Sequence, residues 1–346
     1  GFAAPTAEVH ISDGAIHGVA ASTYRAFLGI PFAAPPLGQL RFAPPAPVAP
    51  WAPAVLDATA YRHNCLQVGE FEPPMPRSIL SEDCLYLNVW TPAHVSADAA
   101  LPVMVWMHGG AYQAGGANET RLNGQFDVAL AGGMLVVTTN YRLGALGFLG
   151  SDAVRALDPS RRTTGNAGIL DQRAALKWVH RHIRAFGGDP RRVLLAGESA
   201  GGASVINHLV RPASWGLFAA AAQQSGAYTL LLGQPGEVKS EVAYRAVLNA
   251  TRCADIRCLQ SLSADDLLAS VALLWELFEP CVDGADLSAP VAELLSAKRV
   301  APGVPVITGA TAQDLRFLPG PRCPSGAAAC SRSDFRAWAR IIRDTI

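Results

Sequence analysis

Hydrophobic positions in this chain fall into short unbroken runs, with helical stripes between them. Leu101 to Met107 (LPVMVWM), Leu135 to Tyr141 (LVVTTNY) and Val193 to Ala196 (VLLA) are largely apolar, the last with no breaker, which predicts buried strands. Gly165 to Phe186 places Ala174, Leu176, Val179, Ile183 and Phe186 along one side of a helix. Ala203, Val205, Ile206 and Leu209 repeat that spacing after the Val193 run. Toward the start, Ala7 to Gly18 predicts a hairpin turning at Asp13-Gly14. Tyr24 to Phe32 and Leu85 to Trp90 predict further strands. Pro35 to Pro53 holds too many prolines for a helix interior or a central strand, so it should run as extended surface coil anchored by Phe42 and Trp51. Later, Ala219 to Gly226 leads into a short strand. Glu237 to Glu279 reads as helical, with Ser263-Ala264-Asp265-Asp266 as a helix start. Val304 to Gly309 is one more strand, and Ala310 to Asp314 is the loop at its carboxyl end. Strands alternate with helices from Leu101 onward, which predicts an α/β fold with a mostly parallel central sheet and helices on both faces.

One junction carries chemistry. The Val193 run ends in Gly197-Glu198-Ser199-Ala200-Gly201, and a helical stripe follows at once. Strand, tight turn and helix is the setting in which G-x-S-x-G makes a nucleophile elbow. The serine sits on a strained turn, so Gly197 and Gly201 must be small to spare the strand and the helix a collision. The helix beginning at Ala200 aims its amide end at the place where an oxyanion would form. Further donors can come from the loop after Met107, where Gly109-Gly110-Ala111 lets backbone approach a substrate closely.

The 346 residues are half hydrophobic, enough for one large α/β domain or two ordinary ones. Lys+Arg and Asp+Glu balance at 28 each, which gives no electrostatic case for nucleic acid or an anionic membrane as partner. No apolar run is long enough to span a bilayer. The sequence begins without Met or a signal segment and reads as a processed or trimmed product. Seven cysteines are scattered without CxxC pairs, which favours disulfides over a metal site. Asn118-Glu119-Thr120 and Asn249-Ala250-Thr251 are glycosylation sequons, and with the cysteines they point to a secreted or extracellular setting. The odd cysteine calls for a free thiol or a partner on another chain.

These stretches resemble the type-B carboxylesterases, the carboxylesterase and cholinesterase branch of the α/β hydrolases. Phe186 to Gly201 is similar to that family's serine signature, and Glu82 to Pro92 (EDCLYLNVWTP) to its second signature. Phe27 to Pro36, Asn140 to Gly144 and Gly165 to Gln172 are similar to further family blocks, and the likeness runs from the first hairpin to about Phe317. The resemblance implies a single α/β-hydrolase domain over 1–346. It implies oxyanion donation from the amides of Gly110, Ala111 and Ala200, and a buried acid at Glu198. It also implies disulfides Cys65–Cys84 and Cys253–Cys258. Cys323 and Cys330 could form a third pair. The triad acid falls at Asp314, where the family usually has Asp-Glu-Gly and this chain has Gln313-Asp314-Leu315. No metal or organic cofactor is implied.

The base is missing. In α/β hydrolases the order is serine, acid, histidine, yet His10, His17, His63, His94, His108, His180, His182 and His208 all precede Asp314. Left as the last strand, Val304 to Thr308 would be an unpaired apolar edge, so the domain is expected to be C-terminally incomplete. The final strand and histidine loop would then lie on an absent or separate polypeptide, tied by the odd cysteine. The expected function is hydrolysis of carboxylic esters through an acyl-enzyme on Ser199, with a small-molecule ester as substrate. The alternative is a non-catalytic binding or adhesion protein on the same scaffold. A nucleotide enzyme is a poor third choice, since neither G-x-G-x-x-G nor a phosphate loop is present.

Overall fold

The hydrophobic runs become a ten-stranded sheet with an antiparallel half and a parallel half. The structure is a computed structural model that describes residues 6–67, 75–119, 124, 133–226, 237–312 and 314. In the antiparallel half, β1 (Thr6–Ile11), β2 (Gly14–Ala20) and β3 (Tyr24–Pro31) form a meander, with the short β4 (Val55–Asp57) beside β2. A two-stranded ribbon, β5 (Asn64–Cys65) and β6 (Leu80–Ser81), lies apart from the sheet. Next come β7 (Tyr86–Pro92), β8 (Leu101–Met107), β9 (Leu135–Thr139), β10 (Gly188–Glu198), β11 (Ala220–Gln224) and β12 (Val306–Gly309). The spatial order is β1-β2-β3-β7-β9-β8-β10-β11-β12, and every pair from β9 to β12 is parallel.

The helices used below are α1 (Gly144–Phe148), α2 (Asp152–Arg155), α3 (Ala167–His182), α4 (Ala200–Leu209), α5 (Glu237–Thr251), α6 (Ile256–Ser261) and α7 (Ala264–Val271). At the predicted start of α7, the Ser263 side chain accepts the Asp266 amide and so caps the helix. The apolar stripe of α3 packs Leu176, Val179, Ile183 and Phe186 into the same buried cluster as Val103, Val105, Leu135, Val137, Val193 and Leu195. Each of those side chains is almost fully removed from water, worth roughly 1.5–3 kcal/mol apiece.

Two details differ from the sequence pattern. The hairpin turns at Ser12-Asp13, and Gly14 is already paired with Ile11 in β2. The cause is the proline-rich coil. Trp51 and Ala52 donate their amides to the Asp13 carbonyl at 2.8 and 3.0 Å, and the Trp51 ring fills the space that a side chain on Gly14 would need. Strand β10 also begins earlier than its apolar run. Gly188 pairs with Leu101, the register then shifts, and Val193 pairs with Val103.

Two buried ion pairs fasten loops to this frame. Arg41 grips Glu82 through two bonds of 2.7 and 2.6 Å and also donates to the carbonyls of Leu259 and Leu262. Arg142 grips Asp171 through two bonds of 2.7 Å and donates to the Ala43 carbonyl. All of these partners are protein groups, which is what makes a buried charge pair tolerable.

Candidate active site

The register brings the carboxyl ends of the parallel strands into one row. Thr139 pairs with Met107, Met107 with Gly197, Gly197 with Gln223, and Gln223 with Thr308. In open α/β sheets ligands bind just beyond such a row. The candidate residues lie there: Gly109 to Ala111 after β8, Ser199 after β10, and Asp314 after β12.

Ser199 occupies φ 56°, ψ −122°, outside the regions ordinary residues favour. Its neighbours make that possible. A side chain on Gly197 would meet the backbone of Gly201 at 2.5 Å, and one on Gly201 would meet the Met107 carbonyl at 2.0 Å. The Ser199 amide donates to Gln224 of β11 at 2.9 Å, which pins the turn to the next strand. Helix α4 starts at once, with Ala200 fully buried and Ser199 half-buried.

The loop after β8 meets this elbow directly. A side chain on Gly109 would lie 2.9 Å from Glu198 Oε2 and 3.1 Å from Ser199 Cβ. Gly110, Ala111 and Tyr112 then follow one another at φ 104°, 56° and 60°. A non-glycine residue held in that region costs of order 1–3 kcal/mol. The turn is closed by Gln113 and Ala114, whose amides donate to the Gly110 carbonyl at 2.8 and 2.9 Å. The Gly110 and Ala111 amides donate to no group among the described residues, and both residues are half-buried, open on one side. Donors held in this way can stabilise a developing oxyanion without reorganising.

The acid loop is less enclosed. Asp314 is half-buried, and its two carboxylate oxygens take the Thr311 hydroxyl at 2.6 Å and the Thr311 amide at 3.2 Å. Gln313 and Leu315 lie outside the described residues. Among the described residues β12 has no partner on its far side, and Ile307 is 76% exposed. His108 is buried beside the glycine loop, stacked on Tyr141 at 4.3 Å, with Nδ1 2.8 Å from the Gly109 carbonyl. His182 lies 3.6 Å from Asp13, and burial is the main cause of its lowered pKa. His10 is exposed and pairs with Glu8.

Sequence reasoning missed a buried polar network under α4. His208 is fully buried, with Nδ1 2.9 Å from Ser214 Oγ and Nε2 3.0 Å from Gln172 Oε1. The amide oxygen can only accept, so Nε2 carries the proton and Nδ1 accepts from Ser214. Burial, then Arg173 and Arg211, hold its pKa well below the usual histidine value, which keeps it neutral. Gln172 passes the chain to Ser204 at 2.9 Å. At the other end Arg173 and Arg211 both bind Asp286, whose carboxyl is held well below the usual range by those two charges against its burial. Gln172 fell inside a motif that had no role, and His208 stood as one histidine among eight. Neither carries a spacing signal.

Both expected disulfides are present: Cys65–Cys84 with Cα atoms 4.9 Å apart, and Cys253–Cys258 at 5.4 Å. The free cysteine among the described residues is Cys281. It is buried, its thiol bonds the Thr164 carbonyl at 3.2 Å, and burial pushes it up to about 12. A free thiol is one of the two alternatives for the odd cysteine, and Cys281 is such a thiol, enclosed within the fold. Cys323 and Cys330 lie outside the described residues. The sequon asparagines differ too. Asn249 is exposed on α5, whereas the Asn118 amide accepts from buried Asn64. Among the described residues no group of three or more His, Cys, Asp or Glu could hold a metal ion. No helix among them is long and apolar enough to cross a membrane.

A strained serine between a parallel strand and a helix, beside a glycine donor loop, defines an α/β hydrolase. The chain belongs to the carboxylesterase family, which it matches over residues 5–320. It is 42% identical over 305 residues to a cocaine esterase of Oryctolagus cuniculus, covering 82% of this chain and 53% of that protein. It is 40% identical over 315 residues to a pyrethroid hydrolase of Mus musculus, covering 87% and 53%. Among solved structures it resembles a PNB esterase at 34% identity with a TM-score of 0.80, covering 98% of this chain and 69% of the other. The Geobacillus stearothermophilus carboxylesterase aligns with the same identity and score over 90% and 64%. The chain therefore spans about half the length of the curated relatives it matches.

Proposed function

We propose that the protein is a serine hydrolase that cleaves carboxylic esters through an acyl-enzyme. The observation that carries this is Ser199 held at a positive φ directly beside the loop that presents the Gly110 and Ala111 amides. In this reading Ser199 Oγ attacks the ester carbonyl and its proton passes to a histidine. The carbonyl oxygen becomes an oxyanion held by the amides of Gly110, Ala111 and Ala200. Collapse expels the alcohol, which takes the proton back. Water then attacks the acyl carbonyl by the same route and frees the acid. Asp314 orients the histidine, and Glu198, expected to be buried, is a half-buried acid beside the serine, since it stands at the open carboxyl end of β10. The histidine comes from a segment beyond this sequence, as part of the same protein or as a second polypeptide. The side of β12 that has no partner among the described residues is where such a segment would add.

The two disulfides and the exposed sequon Asn249 support a secreted glycoprotein. The loop between Cys65 and Cys84 has Phe71 as its one aromatic residue, so it offers little π-surface for a quaternary ammonium. Neutral esters should be turned over better than choline esters of the same acyl group, and the reverse ranking in a paired kinetic assay rejects this.

A binding or adhesion role is the second reading, and the kinship with carboxylesterases does not favour it. A fluorophosphonate probe with peptide mapping, run beside intact mass with and without reductant, separates the two. Labelling of Ser199 in material that carries a histidine-bearing segment is expected. An unlabelled Ser199 in material that does carry a histidine-bearing segment rejects the enzyme and favours the binding role.

A further inference from the structure

We propose that Tyr112 is a positioning residue: its buried hydroxyl clamps the oxyanion loop to the elbow helix through Ser204. This rests on the hydrolase reading. The donors of that reading sit on two separate segments, Gly110 and Ala111 after β8, and Ala200 at the start of α4. Their mutual spacing decides whether they can hold one oxygen together, and something must fix it.

The loop alone cannot. Ala111 and Tyr112 both lie at positive φ, a conformation that persists only where the surroundings over-determine it. Tyr112 supplies those surroundings. It is 2% exposed, its ring packs 5.0 Å from Phe148 and 6.4 Å from Tyr141, and its carbonyl accepts the Gly144 amide at 2.8 Å. Its hydroxyl reaches across to Ser204 Oγ at 3.3 Å, one turn into α4.

Ser204 is saturated by what surrounds it. Its Oγ lies 2.9 Å from the Ala200 carbonyl and receives Gln172 Nε2 at 2.9 Å. A serine hydroxyl has one proton and two lone pairs. A lone pair takes the Gln172 amide, and the proton serves the Tyr112 oxygen and the Ala200 carbonyl between which it lies. Burial raises the Tyr112 pKa well above the usual tyrosine value, so its hydroxyl stays neutral. Gln172 is fixed in turn by His208, His208 by Ser214, and Ser214 by Arg173. The clamp is thus anchored in a fully buried chain, and it contacts the very residue, Ala200, whose amide is one of the proposed donors.

The test uses the whole protein as wild type, Tyr112→Phe, Ser204→Ala and the double variant. A fluorophosphonate counts active sites, turnover of a neutral ester is expressed per counted site, and a trifluoromethyl ketone reports oxyanion binding. Each single variant should lose about tenfold in kcat per site with KM unmoved, and the ketone should weaken by a similar factor. The double variant should be no worse than the weaker single, since both cut one link. A Tyr112→Phe protein that only loses melting temperature and counted sites, with normal turnover per site, overturns the clamp. Additive losses in the double variant also overturn it. A wild type that the probe does not label overturns the hydrolase reading, and the clamp falls with it. A labelled wild type matched by Tyr112→Phe overturns the clamp alone.

Discussion

Two glycines at the same end of the sheet, Gly201 and Gly309, stand in opposite surroundings. A methyl group on Gly201 would lie 2.0 Å from the Met107 carbonyl. One on Gly309 would meet nothing among the described residues within 4 Å. The contrast extends to their neighbours. Around the elbow, Ala200 and Ser204 are fully buried, and Ser199 is tied by its amide to the next strand. Along β12 all four residues are exposed, and Asp314 finds its partners within its own loop. Strain at a catalytic turn is held by crowding. The half that holds the proposed nucleophile and donors has that crowding, and the edge that holds the proposed acid does not have it among the described residues.

The sharpest way to break the comparison is to put the same methyl on both glycines. Gly201→Ala must displace backbone, not a pliable side chain, and should cost about 4–5 kcal/mol, near the top of the range for single substitutions. Gly309→Ala should stay within about 0.5 kcal/mol, because its backbone is at an ordinary φ with open space beside it. Urea midpoints of the two variants measure this. Equal losses would mean that the two ends of the row are equally packed.

The two halves were also unequally legible in the sequence. The G-x-S-x-G between an apolar run and a helical stripe located the elbow, because glycine, serine and periodicity each leave a residue-type signal. The donor loop was legible for the same reason. Register was not, since nothing in the residues states that Met107, Gly197, Gln223 and Thr308 share a row. Nor was the network of Tyr112, Ser204, Gln172 and His208, which joins three segments through side-chain bonds that have no sequence period. The one-residue shift of the first turn came from Trp51, which lies far along the chain from Gly14.

Next in size is the charge that fastens the crowded half. Arg142 follows Tyr141, whose hydroxyl bonds the His108 carbonyl, and it is bound to Asp171. Arg142→Ala leaves Asp171 buried without its partner and should cost about 3–4 kcal/mol by chemical denaturation. A loss below about 1 kcal/mol would mean that Asp171 is satisfied by other means.

A smaller, graded effect comes from His208. In the unfolded chain it titrates near 6.5, and in the fold its pKa is well below that. Above the unfolded value both states are neutral and no pH dependence arises. As pH falls below it, the unfolded chain takes up a proton and the folded one does not. Folding therefore loses about 1.4 kcal/mol per pH unit until the folded value is reached. The difference in slope between wild type and His208→Gln, read from denaturation at several pH values, should show this acid loss only in the wild type. Parallel slopes would place the titration elsewhere.

The smallest expected effect tests the open edge itself. Ile307 is 76% exposed on β12, with no strand beyond it among the described residues. Ile307→Lys removes no packing and should change stability by less than about 0.5 kcal/mol. A lysine on an unpaired edge should also reduce self-association, since charge on an edge strand opposes pairing with another chain. Sedimentation and urea denaturation of this chain would report both. In a protein that carries the proposed further segment, the same substitution should instead become costly, because the lysine would be buried against the added strand. A loss of several kcal/mol in this chain alone would mean that β12 is already covered, and the contrast between its two glycines would disappear.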